Sequence, residues 1–478
     1  MNIQFATDFD IILYINRIGV QIMDQNVAKH SPGYSKLACV FDEGTFVELG
    51  AYVKRKGSDS EYEGVICGYG AIDGRLVFAF SQDTERLEGA VDEYHAKKIE
   101  NLYSAAMKNC APVVGIFESN GATIKNGFSA NSAYGRIIKC VSDASGVIPQ
   151  LAIINGACVG SMAAVACMFD ASFFVKASGR MYIASPASIG EKYGNADFLA
   201  ENGLVSSVSD SFEDAVASLK KIVAMLPDNC GDVAVNENED LPERETVISE
   251  NIHDTINSVA DKDSFVELCA SYAKNMITGL ATMSGITVGI VANNPSKADG
   301  RISANGANKA AAFVSFCDSF GIPVITFVDS CGAELTAEAE DQRIAAALAK
   351  YALAYSSATV SKICLVIGKA YGAATVFMGS KALGTDVVFA LHDTVIGALS
   401  PEASVAFFEN DKIKKDSDRE LLEAKWRKEI LTPENAAADG GIDDIIDASE
   451  ARARICSALN MLIGSGRSLK RKHTNAVL

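Results

Sequence analysis

At 478 residues the chain is too long for one hydrophobic core and fits two or three domains. Hydrophobic residues make up 49% and charged residues 22%, which excludes a disordered or fibrous class and leaves an ordinary globular protein with ample core. A net charge of -17 argues against a nucleic-acid partner, whose phosphates need basic stripes, and suits a cytoplasmic protein.

The N-terminus, MNIQFATDFD, has neither a basic n-region nor a signal-peptide core, so export is not expected. A hairpin is predicted in VICGYGAIDGRLVFAFS, then an amphipathic helix with Ile99, Leu102, Tyr103, Ala106 and Met107 on one face. After Pro112 a buried strand, VVGIFES, runs into the small-residue loop Asn120-Gly121-Ala122. Residues 151–169, LAIINGACVGSMAAVACMF, are uncharged and would register as a membrane span. Asn155-Gly156 and Gly160-Ser161 instead break them into a short strand, a turn and the start of an Ala-rich helix. Apolar periodicity lapses in the acidic 228–244 stretch, which separates a domain 1–227 from a domain 245–478.

The second domain repeats the first. Gly68, Gly74, Val77, Gly89, Ala96, Lys98 and Pro112 recur 211 positions on as Gly279, Gly285, Val288, Gly300, Ala307, Lys309 and Pro323. Ser119, Gly121 and Ala122 recur as Ser330, Gly332 and Ala333, while FVEL at 46–49 returns at 265–268 and VGSMA at 159–163 faces YGAAT at 371–375. A gapless register of this length means internal duplication, each copy being a domain in itself. Strands alternating with crossover helices predict an α/β layered fold in both copies. The charged 409–420 run reads as an exposed helix start, and GRSLKRKHTNAVL as a small basic tail.

Each copy thus ends two buried strands in small-residue loops. Such loops bare backbone N–H groups, a following helix adds its positive dipole end, and two converging N–H groups make an oxyanion hole. Small residues let a substrate oxygen approach, and a thioester carbonyl becoming an enolate suits donors that need no ionisable side chain. The first-copy candidates are Asn120, Gly121 and Ala122 with Gly160 and Ser161; the second-copy ones are Gly332 and Ala333 with Gly372, Ala373 and Ala374. Taken singly, each is equally a tight turn that packs a helix on a strand. The 12 cysteines include no C-x-x-C pair and the five histidines no H-x-x-x-H spacing, so no metal is expected and the thiols read as reduced core residues.

The order FDEGTFVELG, GYGAIDGRLVFAFSQD, EYHAKKI, ESNGATIKNG and SGVIPQLAIINGACVG, then VGIVANNP, KAAAFVSFCDSFGIPVITFVD, KAYGAAT and KRKHTNAVL, is similar to a known family. Over nearly its whole length the chain resembles the carboxyltransferase subunits of biotin-dependent acyl-CoA carboxylases and decarboxylases. The resemblance implies a duplicated crotonase-like (ClpP/crotonase ββα-spiral) α/β fold of two homologous domains. It implies that the first domain binds acyl-CoA, with Asn120, Gly121, Ala122, Gly160 and Ser161 over the thioester. The second domain would bind carboxybiotin, with Gly332, Ala333, Gly372, Ala373 and Ala374 over the ureido carbonyl. Biotin would arrive on a separate carboxyl carrier protein, charged by a biotin carboxylase or served by a membrane decarboxylase pump subunit. The enzyme would be a homo-oligomer of chains that share active sites, a hexamer by family precedent, and peripheral at the inner membrane if part of a pump.

The chain departs from the family in places. Asn120 stands for a glycine, Ser330-Cys331-Gly332 for a proline-glycine-phenylalanine turn, and Val376 for an aspartate linked with acyl-chain choice. Three alternatives stay open: the alpha subunit of a sodium-pumping decarboxylase, a crotonase-like hydratase or isomerase, and an assembly subunit that has lost biotin. Glu118 and Asp329, at matching strand ends, read as loop anchors rather than acid–base groups. The AAMK at 105–108 resembles a biotinylation motif, but Lys108 follows a helix face and reads as a surface lysine.

Overall fold

The computed structural model describes residues 31–54, 62–123, 127–234 and 240–463; the N-terminal segment, the centre of the acidic 228–244 stretch and the basic tail lie outside the described residues. The chain divides into two compact units, one running through Ala234 and taking in Cys269–Tyr272, the other comprising 235–268 and the rest from Ala273.

In the first unit, helix α1 (Pro32–Val40) precedes strands β1 (Val47–Leu49), β2 (Val65–Ile72) and β3 (Arg75–Gln82). β2 and β3 form the predicted hairpin, closed by Asp73 and Gly74, both at positive φ (49° and 77°), as a two-residue turn with the twist of the strands demands. Helix α2 (Glu93–Asn109) is capped by Asp92, whose carboxylate accepts the Tyr94 and His95 N–H groups, and buries the Ile99, Leu102, Tyr103 and Ala106 stripe. β4 (Val113–Ser119) is buried at every residue, the mark of a central parallel strand covered on both faces. Helix α3 (Phe128–Ala144), strand β5 (Gln150–Val159) and short helix α4 (Ser161–Ala166) follow, then β6 (Ala171–Val175), β7 (Arg180–Tyr182), β8 (Ser207–Ser209) and helix α5 (Phe212–Met225). The sheet order is β1-β2-β3-β4-β5-β6-β8, with β7 paired to the far end of β5.

The second unit repeats this strand for strand. Helix α6 (Ile252–Val259) leads into β9 (Val266–Leu268), β10 (Met276–Met283) and β11 (Ile286–Asn293), whose turn, Ser284-Gly285, has φ of 51° and 80°. Helix α7 (Ala304–Ser319), β12 (Val324–Ser330), helix α8 (Ile344–Ser357), β13 (Lys362–Tyr371) and helix α9 (Ala373–Phe377) follow, then β14 (Val387–Leu391), β15 (Val395–Gly397), helix α10 (Pro401–Phe408), helix α11 (Asp416–Lys425) and β16 (Asp444–Ile446). The order β9-β10-β11-β12-β13-β14-β16, with β15 off β13, is the first sheet over again. Even the irregularities recur: the pairing of β4 with β5 slips between Phe117 and Ser119, and that of β12 with β13 between Val328 and Ser330.

The strands depart from the sequence reading at one point. β5 does not turn at Asn155-Gly156 but runs on to Val159, and β13 likewise passes through Gly368 to Tyr371. Those glycines give clearance. A Cβ on Gly156 would meet the Glu118 side chain at 3.0 Å, and one on Gly368 the Asp329 carboxylate at 2.5 Å. Each acid uses the space to tie strands together: Asp329 Oδ1 accepts the Lys369 N–H at 2.9 Å, and Glu118 Oε1 accepts from the Asn155 amide at 2.5 Å while Lys36 pairs with its other oxygen.

The N-terminal ends of β5 and β13 are also closed alike, by Asp170 Oδ2 on the Gln150 N–H and Asp386 Oδ2 on the Lys362 N–H, each at 2.8 Å. Although one edge of Asp170 reaches solvent, burial pushes its carboxyl up to about 7 against the opposing pull of the Gln150 N–H. A carboxyl whose folded-state pKa is raised contributes stability that is full below its unfolded value and is lost as pH climbs through about 7. Asp170→Asn keeps an acceptor for Gln150 and removes that dependence. The fall in thermal midpoint between pH 5 and pH 8 should become shallower by roughly 2–4 °C in this variant, read by calorimetry. An unchanged slope would mean Asp170 ionises normally.

Candidate active site

The loop after β4 is held on one side by the stretch before α2. Val91 N–H donates to Gly121 O at 2.8 Å, and Thr123 N–H donates back to Val91 O at 3.0 Å. In a trans peptide the N–H points opposite to the carbonyl. With Gly121 O on Val91, the Ala122 N–H of the same peptide is aimed away from it. The second unit is built identically: Ile302 N–H donates to Gly332 O at 2.8 Å, Glu334 N–H to Ile302 O at 3.0 Å, and the Ala333 N–H points outward. The bend is set by Gly121 at φ 105° and Gly332 at φ 96°, values that L side chains rarely adopt.

A serine braces each bend. Ser119 Oγ accepts the Gly121 N–H at 3.2 Å, and Ser330 Oγ accepts the Gly332 N–H at 3.2 Å; both serines are fully buried. Asn120 N–H is spent on Glu88 O and Cys331 N–H on Asp299 O, both at 3.1 Å.

The loops after β5 and β13 add the second amide. Gly160 and Gly372 have φ of 60° and 48°, and their own N–H groups donate to Tyr182 O and Gly397 O, on β7 and β15. The first residues of the helices, Ser161 and Ala373, follow with N–H groups that no intrahelical acceptor can take. At six and five residues these helices contribute amides rather than a sizeable dipole. The candidate residues therefore divide by role. Among the described residues, Ala122, Ser161, Ala333, Ala373 and Ala374 carry N–H groups with no protein acceptor, whereas Asn120, Gly121, Gly160, Gly332 and Gly372 spend theirs on holding the loops.

In the second unit the two loops touch, since a Cβ on Gly332 would lie 3.1 Å from Tyr371 O and 3.8 Å from Ala373 N. They floor a cavity of about 580 Å³ whose lining includes Gly332, Ala333, Gly372 and Ala373. Its walls carry Arg301, Lys369 and Arg427, faced by Asp299 and Glu402. Burial and the Glu402 carboxylate push the Tyr371 phenol up to about 12, and burial raises the Cys331 thiol, so both remain protonated at neutral pH. Ala374 turns its side chain into the core and lines a smaller cavity with Met378 and Cys364 instead. Val376 is half exposed and stands outside the lining of the larger cavity, as does His392, which sits 3.6 Å from Asp447. Lys108 is exposed on the last turn of α2. Among the described residues no group of three His, Cys, Asp or Glu side chains could hold a metal ion, and no helix is long and apolar enough to cross a membrane.

The carboxyl transferase domain matches residues 34–476. The chain belongs to the carboxyl transferase family. It is 35% identical over 473 residues to the methylmalonyl-CoA decarboxylase subunit alpha of Veillonella parvula, covering 93% of this chain and 92% of that one. It is 34% identical over 476 residues to the mitochondrial propionyl-CoA carboxylase beta chain of Homo sapiens, covering 93% and 87%. A crystal structure of transcarboxylase 12S, a hexamer with methylmalonyl-coenzyme A and methylmalonic acid bound, superposes with a TM-score of 0.86 at 28% identity over 99% of both chains. The chain is accordingly a carboxyltransferase on a duplicated crotonase-like α/β fold.

Sequence reasoning found the loops but missed side chains around them. Ser119 and Ser330 stood in the repeat register and could have been read as braces. Arg301 could not, because its register partner is Ala90 and the repeat carries no trace of it.

Proposed function

We propose that this carboxyltransferase moves a carboxyl group between biotin on a separate carrier polypeptide and the α-carbon of a short acyl-CoA, using main-chain amides at two matched sites. The observation that carries the reading is the pair of outward-aimed N–H groups, Ala122 and Ala333, each following a strand whose paired neighbour leads to a second unpartnered amide, Ser161 or Ala373. Ala122 and Ser161 hold the thioester oxygen as deprotonation at the α-carbon drives charge onto it. Ala333 and Ala373 hold the ureido oxygen in the second-unit cavity, where the glycine floor leaves room for it. When bound, carboxylated biotin supplies an activated carboxyl group and, after its loss, a basic ureido nitrogen. Donors prepaid by the fold cost no reorganisation as charge develops, so rate comes from placement rather than from a side-chain base.

The carrier comes from another chain, either beside an ATP-driven biotin carboxylase or beside a membrane decarboxylase pump, and the enzyme works in the cytoplasm as a homo-oligomer. The names of its relatives, a decarboxylase subunit and propionyl-CoA carboxylase chains at nearly equal identity, leave the direction of transfer open. Incubating the purified protein with methylmalonyl-CoA and free biotin should give carboxylated biotin and propionyl-CoA, followed by mass spectrometry. Hydration of an enoyl-CoA in its place would overturn the proposal in favour of a hydratase, and intact CoA binding with no turnover would point to an assembly subunit.

A further inference from the structure

We propose that Arg301 is a positioning residue that sets the aim of the second-unit oxyanion donor, a device with no counterpart in the first unit. The inference rests on the carboxyl-transfer reading above. Arg301 Nη1 donates to Cys331 O at 3.1 Å and to Ala333 O at 3.4 Å. Between these two carbonyls lies that of Gly332, held by the N–H of the next residue, Ile302. Three successive carbonyls are thus gripped by two successive residues, and the one outward N–H in the stretch, that of Ala333, has its peptide plane fixed from both sides.

The first unit solves the same problem differently. Ala90 stands where Arg301 does and can donate nothing from its side chain, while Asn120 reaches Glu88 Oε2 at 2.6 Å and tethers the loop through its own side chain. Cys331 replaces Asn120 in the second copy and removes that tether. The guanidinium replaces it from across the loop, with the one nitrogen Nη1 serving both carbonyls. Because Arg301 also lines the cavity, its charge stands in the wall of the pocket where the second oxygen becomes negative. The first-unit loop keeps a neutral neighbour at the equivalent place.

The test is steady-state transfer between methylmalonyl-CoA and free biotin by the full-length protein, with Arg301→Ala and Arg301→Lys. Losing a donor outright costs about 100- to 1000-fold, so losing its aim should lower kcat by roughly 10- to 100-fold in Arg301→Ala. KM for methylmalonyl-CoA should stay within about twofold, since the first-unit loop is untouched, and a lysine able to reach one carbonyl should restore part of the loss. A merely structural arginine would move both substrates' parameters together with the thermal midpoint. Should Arg301→Ala fail to fold, Arg301→Lys carries the test alone, with a kcat deficit at unchanged thioester KM expected. Wild-type kcat in both variants, or a thioester KM that rises in step with the kcat loss, overturns the proposal. Absence of transfer by the unaltered protein overturns the underlying reading instead, and is told apart because it appears before any substitution.

Discussion

Gly121→Val should lower carboxyl transfer by about 100-fold or more while costing the fold only a few kcal/mol. The nearest atom to an added Cβ is Val159 Cγ2 at 3.6 Å, so there is space, and the penalty lies in the backbone. At φ 105° a branched residue is strained, and relief comes by rotating the 121–122 peptide. That rotation takes the Gly121 carbonyl off Val91 and swings the Ala122 N–H with it. The loop is a small part of the unit's hydrogen bonding, so the thermal midpoint should fall by less than roughly 10 °C. Circular-dichroism melting beside kcat measurement separates the effects, and losses that track one another would remove Ala122 from the mechanism.

The second large effect is on stability. Gly89→Ala and Gly300→Ala each place a methyl group onto a backbone oxygen, that of Glu118 or Asp329, at positions already held at φ 69° and 65°. Neither oxygen sits on a flexible side chain, so strand ends must shift, at a cost of about 3 kcal/mol or more. Gly74→Ala is the control, since Gly74 has φ 77° with open space around it and should cost only about 1 kcal/mol. Urea midpoints that rank all three variants together would mean the close approach does not matter. The damage should also reach the site, because Glu88 O and Asp299 O, one residue before these glycines, fasten Asn120 and Cys331.

Much of this was legible in the sequence for a physical reason. A duplication preserves the positions where the backbone does something side chains cannot, and glycines at such positions stay in register: 74 with 285, 89 with 300, 121 with 332. The strands, the hairpins and the four small-residue loops followed from that register. The glycine inside β5 misled because glycine signals both a turn and a close approach, and only the fold reveals Glu118 in the gap. The division of amides into donors and fasteners was also hidden. It depends on which carbonyl each peptide presents to Val91 or Ile302, a property of the chain's path rather than of residue type.

On the proposed mechanism reactive power lies in peptide groups, which bears on how such a protein drifts. Alanine scanning would pass over Ala122, Ala333 and Ala373 without altering anything, and would blame residues that merely bend the chain. Walls such as the 369 and 427 cations are free to change with the cosubstrate, because exchanging them leaves the amides where they were. New specificities on this frame should therefore arise by repainting the pockets, and inactive ones by a single kink.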